Sequence, residues 1–500
     1  MDLMYQSTRG GGKNITASQA ILKGLAEDGG LFMPIELPKL DIPVERLADM
    51  SYQETAYEVM KRFLTDFTRE ELMECINKAY DSKFDTKEIA PIAKADGMYF
   101  LELYHGNTIA FKDMALSILP HLMTVSARKN HADKKIVILT ATSGDTGKAA
   151  MAGFADVEGT EIIVFYPKGG VSPMQERQML TQTGDNTHVV AIHGNFDDAQ
   201  TGVKTIFNDR EFEKMLAERG YQLSSANSIN IGRLVPQIVY YVYAYAKLLK
   251  NGEIEKGEKI NVTVPTGNFG NILAAYFAKQ MGLPIDKLIC ASNDNKVLYD
   301  FFMTGTYDKN REFILTSSPS MDILVSSNLE RLIYLSTGCD AAKNRALMEE
   351  LSLKGKYTVT PDMRERIEDF CGGYAVQKET AEAISKLFHD TGYVIDTHTG
   401  VAAAVYRKYV EQTGDEKKTV IVSTASPYKF SRSVAEALDI KSSDYEELAD
   451  LSEFEVVDAL NRATNMPIPQ AVEEIRLAVY RHDKECDADK MKEIVSSLLP

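Results

Sequence analysis

The chain has 500 residues, with 56 Lys and Arg against 72 Asp and Glu and a net charge of −16. Its length predicts about two to four domains with ample core. The negative balance argues against nucleic-acid and anionic-membrane partners, so any phosphate site must be a local pocket in a protein that binds small molecules.

Residues 1–95 read as a mostly helical N-terminal domain. Its glycine-rich stretches, Ser7–Gly12 and Gly29–Pro34, are loops, and Ser51 and Thr68 are helix N-caps followed by acidic residues. Arg9 reads as a surface charge. Met98–Leu103 alternates like a strand, and Met114–Leu119 reads as a helix. Lys112 therefore falls at a strand-to-helix turn, where the helix N-terminus disfavours an ammonium and a lowered pKa suits an amine nucleophile. Taken alone, that stretch fits an ordinary solvated lysine on a first helical turn better; the glycine-rich loops downstream reverse the reading.

From residue 136 the pattern becomes strand, glycine loop, helix, repeated. Strands are expected at 136–140, 161–166, 188–192, 221–225, 260–264 and 288–291. Helices are expected after Gly144, Ser172, Phe196 and Gly270. The run 234–249 holds Pro236, Gln237 and Lys247 and reads as a buried helix, not a membrane span. Residues 321–391 read as helices with charged faces. Tyr393–Asp396 and Thr419–Ser423 read as strands, and the chain from Ser431 reads as helical and acidic. Such alternation predicts an α/β fold of mostly parallel sheets with helices on both faces, plus helical N- and C-terminal regions. The expected domains are 1–95, a core at 96–430 with a smaller α/β subdomain at about 115–210, and a helical region at 431–500.

Ligands of such folds bind at the carboxyl ends of the strands, where the glycine loops lie. Gly267, Asn268, Phe269, Gly270 and Asn271 form either a phosphate cup at a helix N-terminus or a tight turn. Thr142–Lys148 is not a nucleotide P-loop, because Thr142 stands where glycine is needed and Ala149 where Ser or Thr is needed. It remains an anion cradle rich in amides and hydroxyls. Asn227, Ser228 and Arg233 set an amide, a hydroxyl and a guanidinium within two helical turns, which suits phosphate or carboxylate, though a helix cap beside an exposed arginine has the same spacing. A lysine with a phosphate cup fits a pyridoxal 5′-phosphate Schiff base, and a further anion site fits a substrate bearing carboxylate or phosphate. Ser423 or Thr424 offers a hydroxyl to a pyridine nitrogen. His105, His398 and Asp396 show no triad or metal spacing and read as structural or supporting. No metal site is expected. Cys75, Cys290, Cys339, Cys371 and Cys486 are widely spaced and form no CxxC, which points to a reducing compartment. The N-terminus shows no signal-peptide pattern, so a cytoplasmic location is expected.

Taken together, Tyr5–Gly10, Gly29–Pro34, His105–Asp113, Thr142–Gly147, Asn227–Arg233, Val264–Asn271, Asp396–Gly400 and Thr424–Phe430 resemble, in order, the threonine synthase family in its long bacterial and fungal form. The resemblance implies a fold-type II pyridoxal-phosphate enzyme, similar to the tryptophan synthase β chain. It would convert O-phospho-L-homoserine and water to L-threonine and phosphate, as a monomer or homodimer. It further implies that Lys112 holds the cofactor and then carries protons. Gly267–Asn271 would cradle the cofactor phosphate, and Thr424 would meet the ring nitrogen. Thr146, Asn227, Ser228 and Arg233 would hold the substrate phosphate, with Ser143 and Asp145 lining the substrate side of the ring. The chain departs from the family at Asn107 and Thr397, where proline is usual or frequent.

Overall fold

The computed structural model describes residues 2–142, 144–440 and 448–499. Two sheets organise it. The larger is built from β1 (Ile92–Ala95), β2 (Met98–Glu102), β7 (Ile260–Pro265), β8 (Ile285–Ser292), β9 (Phe370–Tyr374) and β10 (Thr419–Ser423), in the spatial order β9-β8-β7-β10-β2-β1. Every pairing in it is parallel except β1 with β2. The smaller sheet is wholly parallel. It sets β3 (Lys135–Ala141), β4 (Thr160–Pro167), β5 (Thr187–His193), β6 (Tyr221–Ser224) and β11 (Lys484–Asp487) in the order β11-β5-β4-β3-β6.

The central strands of both sheets are buried almost throughout because helices cover both faces. Six elements carry the site: α1 (Asp113–Leu116), α2 (Asp145–Phe154), α3 (Pro173–Leu180), α4 (Ile231–Lys250), α5 (Gly270–Gln280) and α6 (Thr397–Thr413). The apolar run around 234–249 is indeed a helix interior: in α4 nearly every residue from Ile231 to Leu248 is buried, including Pro236. Among the described residues no helix is long and apolar enough to cross a membrane. Ser51 and Thr68 cap their helices through reciprocal bonds with Glu54 and Glu71.

Four local expectations are corrected. Tyr393–Asp396 forms no strand, because both edges of β10 are already filled by β7 and β2. Asp396 serves instead as the N-cap of α6, accepting from the amides of His398 and Thr399. The stretch 321–391 contains β9, whose Gly372 and Gly373 weaken the strand signal. A Cβ at Gly373 would meet Val405 at 2.3 Å, so glycine lets α6 lie against the sheet edge. The acidic tail contributes β11, an edge strand in which only Cys486 is buried. The helix expected at 114–119 stops at Leu116, and a new one starts at Leu119 with Pro120 in its first turn.

Candidate active site

The segment carrying Lys112 is stitched to the end of β10. Leu103 donates to the Ser423 carbonyl at 3.0 Å, Phe111 to the Thr424 carbonyl at 2.8 Å, and Ser426 to the Ile109 carbonyl at 3.0 Å. Within the turn, Asp113 accepts from the Thr108 amide at 2.8 Å and the Thr108 hydroxyl at 2.6 Å. Burial raises the Asp113 carboxyl above its usual range, and these bonds offset part of that rise. Lys112 follows as the N-cap of α1, with its nitrogen 5.4 Å from the centre of the Phe111 ring.

Lys112 Nζ lies 3.4 Å from Asp145 Oδ2 and 3.3 Å from Ser320 Oγ, and 12% of its side chain is exposed. Burial lowers the Lys112 amine below the lysine range. Asp145 opposes that shift, while the charges of Lys429 and Arg233 reinforce it. Burial alone would raise the Asp145 carboxyl, but Lys429, Lys112, the Ser320 hydroxyl and Gln175 hold it well below its ordinary value. Ser320 donates to Asp145 at 2.7 Å, and Gln175 of α3 donates to it at 3.0 Å. Behind Ser320, its backbone amide donates to His398 Nε2 at 3.1 Å. The ring proton is thereby placed on Nδ1, 2.9 Å from Asp396 Oδ2.

The loop from β7 to α5 runs from Thr266 to Phe269. Its carbonyls are tied back: Gly267 accepts from Ser326 Oγ at 2.7 Å, and Asn268 accepts from the Asn328 amide at 3.0 Å. Phe269 is left-handed, with φ of 63°. The amides of Gly267, Asn268 and Phe269 donate to no group among the described residues. Gly267 is required for room, since a Cβ there would meet the Ser320 carbonyl at 2.6 Å. Asn271 accepts from Tyr240 and Tyr241, so its amide nitrogen is held as a buried donor with no partner among the described residues.

Arg233, on the first turn of α4, is 3% exposed. Its Nη1 donates to the Ala226 carbonyl at 3.0 Å, while its buried Nε has no partner among the described residues. Burial moves it down to about 10. The preceding loop is braced by Arg331, which donates to the Ile229 carbonyl at 2.6 Å. Next to Arg331, Glu330 pairs with Arg9 at 2.7 Å. Arg9, read as a surface charge, thus helps anchor the loop.

Lys112, Gly267–Asn271 and Thr424 follow β2, β7 and β10 of the larger sheet, and Asp145 and Arg233 follow β3 and β6 of the smaller one. Thr146 is half-buried on the first turn of α2; Asn227 is exposed and Ser228 half-buried on the loop before α4. Ser143 lies outside the described residues. Thr397 is the first residue of α6, a position that proline suits equally. Sequence reasoning assigns no role to Ser320, Lys429, Gln175 or Gln178, and takes Lys148 only as the end of the Thr142–Lys148 cradle. Lys429 lies within the Thr424–Phe430 stretch that carries part of the resemblance, whereas the stretch around Ser320 draws no reading. Lys429 Nζ reaches Asp145 at 3.3 Å, and Lys148, buried nearby, is lowered by burial to about 8.

In chemical terms, one buried amine stands beside a helix-terminal row of free amides and an unpaired guanidinium nitrogen. Lysine and arginine charges crowd a site within an acidic chain. That set fits pyridoxal 5′-phosphate, an aldehyde carrying a phosphate, together with a second anion.

Comparison with known proteins gives the same answer along the whole chain. Residues 4–80 match the family "Threonine synthase N terminus", 85–425 match "Pyridoxal-phosphate dependent enzyme", and 399–475 match "Threonine synthase, C-terminal". Threonine synthase of Schizosaccharomyces pombe is 39% identical over 473 residues, covering 88% of this chain and 90% of that protein. Human threonine synthase-like 1 is 40% identical over 438 residues, covering 85% of this chain but 58% of that longer protein. Among solved structures, PLP-bound threonine synthase from Brucella melitensis superposes with a TM-score of 0.87 at 34% identity, covering 100% of this chain and 99% of that one. The yeast threonine synthase structure gives 0.87 at 32%, with the same coverage.

Proposed function

The chain belongs to the threonine synthase family of pyridoxal-phosphate lyases, and we infer from its site that it converts O-phospho-L-homoserine and water into L-threonine and phosphate. The reading is supported by the Lys112 amine, lowered by burial, together with two buried donors left without partners among the described residues, Asn271 Nδ2 and Arg233 Nε. When bound, pyridoxal 5′-phosphate supplies an electron sink for negative charge beside the substrate nitrogen.

The chain's own residues divide the remaining work. Gly267, Asn268, Phe269, Gly270 and Asn271 hold the cofactor phosphate through backbone amides and the unpaired Asn271 amide. Thr424 meets the ring nitrogen with a hydroxyl. Arg233, with Thr146, Asn227 and Ser228, binds the substrate phosphate, its Nε free for a charge-assisted bond. Asp145 and Ser143 line the substrate side of the ring. Lys112 removes the proton from Cα and then from Cβ, which lets phosphate depart from Cγ, and returns protons as water adds at Cβ. The substrate is a small molecule. The free state of all five cysteines supports a reducing cytoplasmic setting, and a monomer or homodimer suffices for a site built within one chain.

Lys112→Ala is the direct test. The variant folds, and phosphate release falls by about 10³-fold or more. Threonine formation at the wild-type rate would remove Lys112 from its role.

A further inference from the structure

Asp145 carries two lysines, one on each oxygen. Lys112 Nζ lies 3.4 Å from Oδ2, and Lys429 Nζ lies 3.3 Å from Oδ1. They reach it from different directions. Lys112 precedes α1, whereas Lys429 sits in the 3-10 turn Pro427–Phe430 beyond β10. A single buried carboxylate cannot compensate two ammonium groups, so one of them gives up its proton more readily.

Hydrogen bonding decides which. An ammonium offers three donors. Lys429, with 1% of its side chain exposed, donates to two groups that only accept, the Thr108 carbonyl at 3.2 Å and Gln178 Oε1 at 3.3 Å, and is ion-paired with Asp145 besides. Lys112 donates to Asp145 and, at 3.3 Å, to the Ser320 hydroxyl, which is itself a donor to Asp145. We propose that Lys429 is a positioning residue: it occupies Oδ1 of Asp145 as the fixed ammonium of the pair and leaves Lys112 as the free amine that bonds the cofactor. The proposal rests on Lys112 being the cofactor-bonding lysine.

The charges around the pair point the same way. Asp145, Lys429 and Arg233 act on Lys112, with the His398 ring behind Ser320 accepting from its amide. Around Lys429 stand Asp145, Lys148 and the Asp113 carboxyl, whose two oxygens are engaged by Thr108. Burial lowers the Lys112 amine, and the Lys429 charge lowers it further against the pull of Asp145. The free amine matters because bond formation with an aldehyde carbon starts from the nitrogen lone pair. The nitrogen then loses two hydrogens and the aldehyde its oxygen, together as water.

The test uses the full-length chain stripped of cofactor and re-exposed to pyridoxal 5′-phosphate across a range of pH. The rate of covalent capture is followed by visible absorbance, and its pH midpoint reports the ionisation of Lys112 without any substrate. Lys429→Met leaves Asp145 to Lys112 alone. Its midpoint rises by about one unit, which slows capture about tenfold near neutral pH. Lys429→Arg returns the midpoint to the wild-type side. Asp145→Asn removes the shared anion, and the midpoint falls below that of the wild type. Opposite shifts from two touching side chains are the expected result, since general loosening of the site would move both the same way. An unchanged midpoint in Lys429→Met, or shifts of the same sign in both variants, overturns the proposal. Covalent capture persisting in Lys112→Ala would overturn the assignment of Lys112 itself, an outcome recognisable apart from the other two.

Discussion

The backbone amide of Ser320 donates to Nε2 of His398 across 3.1 Å, although 78 residues separate them. Asp396 orients the ring from the far side, and Phe430 packs against it with centroids 4.8 Å apart. The contact fixes the residue whose hydroxyl faces Lys112 and whose carbonyl leaves no room for a Cβ at Gly267. His398→Ala frees that peptide. The expected effect is a fall in kcat of about tenfold with KM little changed, because the misplaced groups surround the reacting nitrogen rather than the substrate phosphate. His398→Gln, which keeps an acceptor near the Nε2 position, recovers most of kcat. Steady-state kinetics on the three proteins checks this; equal losses in both variants would remove the Ser320 contact from the explanation.

Arg233 makes a different prediction. Its unpaired Nε and buried guanidinium suit a dianion that arrives with the substrate. Arg233→Ala raises KM for O-phospho-L-homoserine by about a hundredfold, in line with about 2–5 kcal/mol for truncating one partner of a buried charge pair. Affinity for pyridoxal 5′-phosphate is expected to stay within about threefold of the wild type if, as proposed, Gly267–Asn271 rather than Arg233 binds the cofactor phosphate. Titrating cofactor and substrate separately distinguishes the two anion sites. A large loss of cofactor affinity would merge them.

His105 predicts a pH dependence of stability. Burial opposes its charge, but hydrogen bonds to Asp85 and Glu102 more than offset this and raise it to about 9. A folded-state value above the ordinary one means that the folded protein binds the extra proton. The stabilisation is therefore complete below about pH 6.5 and is lost as pH rises through about 9. His105→Gln should melt about 2–4 °C below the wild type at pH 6, and the gap should close by about pH 9.5. A gap that widens with pH would show that the ring is held neutral.

Much of the α/β architecture was legible because its signals are local. Buried parallel strands read as apolar runs, and glycine loops sit where strand passes to helix, as at Val264–Asn271. Lys112, Arg233 and the Gly267–Asn271 loop draw attention only as a set, since each stretch alone also fits a solvated lysine, a helix cap or a tight turn. Tyr393–Asp396 misled because alternation cannot reveal that both edges of β10 are taken. The second layer of the site was illegible for a related reason. Ser320 meets Lys112 across 208 residues, and Lys429 meets Gln178 across 251. No local pattern distinguishes a lysine buried against such distant partners from one on the surface.

The most direct test of the central claim is a product balance. Purified protein loaded with pyridoxal 5′-phosphate is given O-phospho-L-homoserine, and phosphate, threonine and 2-oxobutanoate are measured in one reaction. The account predicts one threonine for each phosphate and negligible 2-oxobutanoate, with all three lost in Lys112→Ala. Phosphate matched by 2-oxobutanoate would contradict it, since elimination would then proceed at the same lysine without water being added at Cβ.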